Sequence, residues 1–340
     1  MTQEASASAT RKKVSVLIPC YNEHSVLPLL FARMNEFIDT MPEYDWEIMM
    51  VNDGSSDDSM SQIIHMHIRD KRWQFVDLSR NFGKEIAMMA GLDYISGDCV
   101  VIMDADLQDP PELIPEMLGY WHEGYDDVYA TRKSRGKESW LRKRLSLSYY
   151  SLLQRTTRIP VLQNAGDFRL LDRKCIDALR CMREVQRYTK GLFTWIGFRK
   201  KEIKFDRADR AAGQTHWNFW KLLALAIEGI TSYTTIPLRI STVVGFITSI
   251  GAFIATIYFL IKTWILGDPV QGFPTLVILI LFLSGVILLS LGIMGEYIGR
   301  IFNETKARPP YFVQSTSAQR NPEPPSAQAS AQAHTYTQSR

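Results

Sequence analysis

The chain has 340 residues and a mass of 39.0 kDa, room for one large domain or two modest ones. With 46% apolar and 22% charged residues, it is neither a disordered nor a fibrous chain. Four cysteines with no C-x-x-C exclude a disulfide scaffold and a zinc ribbon, and a net charge of +3 is too small to argue for nucleic acid. A mean hydropathy of −0.11 conceals a very uneven distribution of the apolar residues along the chain.

The first residues, Met1 to Ser6, are small and polar, and Val14–Ile18 is too short for a signal-peptide core. Residues 1–13 are therefore expected to be disordered, and the domain that follows is expected to stay in the cytoplasm with its thiols reduced. Val14–Ile18, Glu47–Val51, Gln74–Leu78 and Val100–Met103 read as strands buried on both faces. Between them Ser25–Thr40, Asp58–Arg69 and Lys84–Ile95 carry helical spacing. The alternation predicts an α/β domain over 14–210 with a mostly parallel sheet. Ligands of such sheets bind beyond the carboxyl ends of the strands.

Three polar loops lie at those ends: Pro19-Cys20-Tyr21-Asn22-Glu23, Asn52-Asp53-Gly54-Ser55 and Asp104-Ala105-Asp106-Leu107-Gln108-Asp109. There is no G-x-G-x-x-G after the first strand and no P-loop, which disfavours a dinucleotide site or an NTPase. Asp104 and Asp106, with the amide oxygen of Gln108, suit a hard divalent cation, Mg²⁺ or Mn²⁺, that takes the rest of its shell from substrate phosphates. Such an ion would neutralise a diphosphate leaving group. Lys84, at a helix start after Gly83, is a further candidate for an anion.

Farther along, Arg132, Lys133, Arg135, Lys137, Arg142, Lys143 and Arg144 face a single acid, Glu138, and precede Trp140, Leu141, Leu145 and Tyr149 at near-helical spacing. A basic amphipathic helix of this kind fits a membrane surface. Trp217 to Ile230 is a second candidate, within an interfacial segment over 211–238. Arg132, Arg135, Arg207 and Arg210 are candidates to clamp phosphates, because guanidinium matches phosphate bidentately. No charge occurs between Arg239 and Lys262 or between Asp268 and Glu296. Each run is longer than the ~20 residues a membrane-spanning helix needs. With Gly267-Asp268-Pro269 between them, they predict a transmembrane hairpin, about 240–263 and 274–298 within 239–300. Arg239, Arg300, Lys306 and Arg308 flank its outer ends, which the positive-inside rule places in the cytoplasm. The Ser-, Gln-, Ala- and Pro-rich end of 301–340 reads as a disordered tail.

The three strand-end loops resemble those of family 2 glycosyltransferases of the GT-A fold. Ser79-Arg80-Asn81-Phe82-Gly83-Lys84-Glu85, Asn164-Ala165-Gly166-Asp167-Phe168-Arg169 and Tyr188-Thr189-Lys190-Gly191 resemble more closely the polyprenyl-phosphate transferases related to dolichol-phosphate mannose synthase. The helical anchor followed by Glu296-Tyr297-Ile298-Gly299-Arg300 resembles the bactoprenol glucosyltransferase branch. The likeness covers about 14–313, and Asn52 departs from it, standing where the family usually has an Asp. The resemblance implies that Pro19, Tyr21, Glu23 and Asp53 hold the base and ribose; Lys84, Arg207 and Arg210 join them on the donor by their charge. It implies that Asp104 lies between nucleotide and metal, that Asp106 and Gln108 ligate the metal, and that Asp167 and Arg169 serve the chemistry, to which Arg132 and Arg135 are added as phosphate clamps by their guanidinium groups.

The implied reaction is inverting transfer of a sugar, glucose first among candidates, from a UDP-sugar to undecaprenyl or another polyprenyl phosphate. It would run at the cytoplasmic face of the cell (inner) membrane, in a multi-pass protein with both termini inside, a homotetramer by resemblance, with no nucleic-acid partner. An acceptor phosphate is already ionised, so Asp167 is expected to orient substrate more than to abstract a proton. The rivals are a processive polysaccharide synthase and a non-catalytic nucleotide-sugar-binding scaffold. The first lacks its Q-x-x-R-W here, and the second does not need Asp104, Asp106 and Gln108 together.

Overall fold

The computed structural model describes residues 11–132, 165–185, 187, 189–205, 236–266 and 272–322. The chain divides into an α/β unit and a helical unit. The α/β unit is built on an eight-stranded sheet of β1 (Lys13–Cys20), β2 (Asp45–Asn52), β3 (Trp73–Leu78), β4 (Cys99–Ile102), β5 (Asp127–Arg132), β6 (Ala165–Asp172), β7 (Lys200–Phe205) and β8 (Val313–Thr316), ordered β7-β5-β6-β4-β1-β2-β3-β8. The centre is parallel as expected, β1 pairing with both β2 and β4, and β2 with β3. β6 runs antiparallel to β4 and β5, and β8 runs antiparallel to β3.

Period-two alternation sends Val14, Val16, Ile18, Ile48 and Met50 into one core, and Leu17, Met49 and Val51 into the other. The first core is covered by α1 (Leu27–Asp39), α2 (Ser59–Arg69) and α4 (Ile114–His122). The second is covered by α3 (Lys84–Tyr94), α5 (Arg173–Cys181) and α6 (Thr189–Trp195). α3 is buried nearly all round, because it lies directly on β1 and β2: a Cβ at Gly91 would sit 2.1 Å from the Leu17 side chain. Covering both faces is what lets these strands read as unbroken apolar runs.

The segment after the last helix does not follow the expectation of disorder over 301–340. Helix continues to Thr305, and Val313–Thr316 forms β8 on the free edge of β3. Beyond it the chain follows the end of α3 to Asn321, whose N–H donates to the Asp93 carbonyl. Composition alone suggested a tail, but an open strand edge offers the backbone a full set of partners, and Tyr311 is buried at the α3 end. Residues 323–340, the basic segment from 133 to 164 and the interfacial segment 211–235 lie outside the described residues.

The helical unit contains α7 (Ile236–Leu266) and α8 (Phe273–Thr305), of 31 and 33 residues. The expected spans 240–263 and 274–298 fall inside them, while the Gly267-Asp268-Pro269 turn is outside the described residues. Among the described residues, Phe282–Thr305 is one helical stretch long and apolar enough to cross a membrane, and Ile240–Gly251 is a shorter apolar stretch. Arg300 Nε pairs with Glu296 at 3.0 Å, one turn earlier, as their spacing predicts.

Candidate active site: an acidic cleft at the strand ends

The carboxyl ends of β1, β2 and β4 meet the start of α3 in a cleft of about 290 Å³. Pro19, Tyr21, Glu23, Asp53, Asn81, Lys84, Asp104 and Asp106 are among the residues that line it. Seven of these eight are site residues the sequence nominates; the eighth, Asn81, belongs to the Ser79–Glu85 motif. Cys20 lines the same wall, but burial pushes its thiol up, so it stays neutral there.

Asp53 ties two loops together. Its carboxylate accepts the Phe82 N–H at 2.7 Å and the Gly83 N–H at 2.9 Å. Burial raises its pKa, an effect these two N–H groups and Arg80 oppose. The loops touch closely: Gly54 has φ +64°, and a Cβ there would lie 2.3 Å from the Arg80 carbonyl carbon. Asn52 explains its own departure from the family pattern. Its amide donates to buried Asp77 at 2.7 Å, where an aspartate would set two carboxylates face to face. Its carbonyl oxygen accepts from the Ser55 hydroxyl, which in turn accepts the Asn22 N–H at 2.9 Å. That chain helps hold Asn22 at φ 54°, the sharp turn that follows β1.

Lys84 is the centre of the cleft's charge. Its ammonium lies 2.6 Å from Asp104 and 2.6 Å from Asp167, which is 83 residues away in sequence. Burial acts to lower the Lys84 pKa, but the carboxylates of Asp167 and Asp104 outweigh it and the net shift is upward. For Asp167, burial acts upward and is outweighed by Lys84, Lys190 and Arg169, leaving the carboxyl below the usual range. Asp167 is thus ionised and weakly basic. Next to Lys84, Glu85 accepts the Thr189 N–H at 3.0 Å, and its pKa is raised, first by burial. Glu85 and Thr189 are not among the residues the sequence nominates, and their only signal along the chain is their place in the Ser79–Glu85 and Tyr188–Gly191 motifs.

The cation-site candidates fit a hard ion by their donors. Asp104 and Asp106 stand on the cleft wall, and the buried Gln108 carbonyl oxygen Oε1 has no hydrogen-bond partner. Leu107 at φ 59° turns the loop, which closes on itself through Asp106 accepting the Gln108 N–H and Asp109 accepting the Asp104 N–H. Among the described residues no group of three or more His, Cys, Asp or Glu is arranged around one point, so an ion here would rely on the Gln108 amide and on substrate oxygens.

Arg169 takes a different position from the other site residues. It lies on β6, 1% exposed, with Nη1 at 3.2 Å from Asp127, Nη2 donating to the Gly166 carbonyl, and its guanidinium 3.7 Å from the Phe193 ring centre. Lys200 also reaches Asp127, at 2.9 Å. Both terminal nitrogens of Arg169 are engaged, on Asp127 and Gly166, and it is not among the residues that line the cleft. Arg132 ends β5, and Arg135, Arg207 and Arg210 lie outside the described residues.

Comparison with known proteins gives the family. The family described as Glycosyl transferase family 2 matches residues 15–180. An uncharacterised glycosyltransferase of Synechocystis is 46% identical over 88% of this chain and 94% of its own. A bactoprenol glucosyl transferase of Shigella phage SfX is 38% identical over 89% of this chain and 99% of its own, and a prophage homologue of that enzyme in Escherichia coli K12 is 38% identical over 88% and 98%. A solved glucosyl-3-phosphoglycerate synthase of Mycobacterium tuberculosis is 19% identical over 65% of this chain and 78% of its own, with a TM-score of 0.44. On the strength of the family match and of the sequence relatives from Synechocystis, the phage and Escherichia coli, the chain belongs to glycosyl transferase family 2 and is an enzyme of that class.

Proposed function

We propose that the protein transfers a hexose, glucose first among candidates, from a UDP-sugar to a polyprenyl phosphate at the cytoplasmic face of the membrane. The observation that carries the reading is the Lys84 ammonium held between Asp104 and Asp167 in the cleft that also contains Asp53. One cleft then offers a slot for a nucleoside, a cation site for its diphosphate and a carboxylate beyond it. The bactoprenol glucosyl transferase relatives support the lipid acceptor. The apolar faces of α7 and α8, with Phe246, Phe253, Trp264 and Leu288 exposed, support insertion in a bilayer.

In this reading Asp53 and Tyr21 border the nucleoside, and Asp104, Asp106 and Gln108 would hold a divalent ion. When bound, that ion supplies positive charge to the departing diphosphate. Lys84 supplies a second, permanent positive charge beside Asp104, ready for the same phosphates. Asp167 orients the acceptor or the sugar. Its depressed pKa makes it a poor proton acceptor, and a phosphate monoester with a charge of about −1.5 to −2 near pH 7 does not need one.

The test is a panel of radiolabelled nucleotide sugars with undecaprenyl phosphate and Mg²⁺ or Mn²⁺. Transfer of one sugar into the lipid fraction supports the reading. Release of free sugar with every donor and no lipid product overturns it.

A further inference from the structure

The segment from Tyr311 to Pro322 touches two of the elements that border the cleft, β3, which leads into the loop of Asn81 and Gly83, and α3, which begins at Lys84. On the strand side β8 pairs with β3, Val76 opposite Thr316 and Leu78 opposite Val313. The pairing reaches the last position before the cleft loop, because the Ser79 N–H donates to the Phe312 carbonyl at 3.0 Å. Residues 79–83 form that loop, and its Phe82 and Gly83 N–H groups are the ones on Asp53. On the same strand, one Asp77 oxygen accepts from Ser315 at 3.4 Å and the other from Asn52 at 2.7 Å, directly before Asp53.

On the helix side the segment is fastened to the carboxyl end of α3, whose first residue is Lys84. The Tyr311 hydroxyl donates to Asp93, which is also gripped by Arg183 at 2.8 Å. Asn321 bonds to the Asp93 and Ile95 carbonyls, and Arg180 donates to the carbonyls of Asn321 and Pro322. A cover for a sheet edge needs only the strand ladder. These additional bonds run along β3 from Gln74 and Phe75 to Ser79, where the cleft loop begins, and gather again where α3 ends.

We infer that Tyr311–Pro322 is a positioning strap for the donor cleft: it holds the end of β3 and the body of α3, and through them the Asp53 loops and Lys84, in the geometry that binds nucleotide. The inference rests on the donor reading above. The strap touches no substrate; it acts by preorganisation, which lowers the ordering cost of binding.

Two alterations of the full chain test it: a stop codon after Arg308, and the double variant Tyr311→Phe with Ser317→Pro. The second removes the hydroxyl on Asp93 and both bonds between Ser317 and Phe75. Amide hydrogen exchange reads the loops without any ligand, and calorimetry with UDP and Mn²⁺ reads the cleft. Released straps should speed exchange at Phe82 and Gly83 and weaken UDP binding about tenfold, with turnover at saturating donor within about twofold of wild type. A stop codon after Pro322 should leave both readouts unchanged. Faster exchange at Ser79 with unchanged Phe82 and Gly83 exchange and unchanged UDP affinity would overturn the strap. If the shorter chain fails to fold, the double variant decides. Should wild type bind no UDP, the donor reading falls while the exchange measurement still decides the strap.

Discussion

Lys84 and Arg169 are both cations paired with carboxylates of the α/β unit, Lys84 with Asp104 and Asp167 and Arg169 with Asp127, and their surroundings are opposite. Lys84 is 40% exposed and opens on a cleft. Arg169 is 1% exposed, its partner Asp127 is 0% exposed, and a phenylalanine ring closes over it. An exposed pair can exchange partners when a ligand arrives, since water and ligand oxygens compensate the loss. A sealed pair cannot, because either ion left alone carries its full desolvation cost. Two similar charge patterns therefore divide into one suited to binding and one suited to holding strands together.

The sharpest way to break this comparison is to remove Arg169. Arg169→Ala should destabilise the α/β unit by about 3 kcal/mol, the low end of what a buried ion pair losing one member costs, because Lys200 stays on Asp127. Thermal or urea unfolding measures it. A variant of wild-type stability with lost transfer would return Arg169 to the chemistry.

Next in size is the cation site. Asp106→Asn keeps the shape and removes a charge, and transfer should fall at least about a hundredfold, in the range of losing one strong electrostatic stabiliser. Chelation with EDTA should abolish transfer, and Mg²⁺ or Mn²⁺ should restore it. Full activity in chelator would sink the assignment.

Asp167→Asn separates orientation from proton abstraction. Turnover should drop between about ten- and a hundredfold, short of the larger losses typical of a lost general base, with donor affinity little changed. The pH–rate profile sharpens the point. Asp167 has a folded pKa below its unfolded one, so its ionised state is present above the usual carboxylate range and is lost only as pH falls below it. It does not titrate between pH 5 and 8 on the scale of ~3.9 for a free aspartate. The rate should therefore rise with pH through the acceptor's second pKa of about 6 and then level. A limb below the usual carboxylate range instead would identify Asp167 as the base.

The smallest effect is on the folding side of Lys84. Lys84→Met should change unfolding stability by less than about 1 kcal/mol, the scale of a partly exposed ion pair, while UDP binding weakens. A large loss of stability would make Lys84 a structural cation like Arg169 and erase the contrast.

Much of this was legible along the chain. β1 to β4 and α1 to α3 were readable because both faces of the sheet are covered, which forces continuous apolar strands and amphipathic helices between them. Once the strands are placed, the rule that ligands bind beyond their carboxyl ends picks out the loops of Tyr21, Asp53 and Asp104. β5 and β6 were harder, since Asp127 and Arg169 interrupt the apolar pattern at positions the fold buries together.

By itself, then, the sequence determined the α/β alternation, the acidic loops at the strand ends and the apolar runs of α7 and α8, because each is set by the order of residues within a short window. Only the tertiary structure decided which charges meet. Lys84 reaches Asp167 because β6 inserts antiparallel beside β4, carrying Asp167 toward the start of α3. Arg169 turns to Asp127 because β5 pairs with β6. The segment after α8 becomes a strand because β3 would otherwise present an open edge. Burial and partner choice are properties of the packed sheet, and no window along the chain contains them.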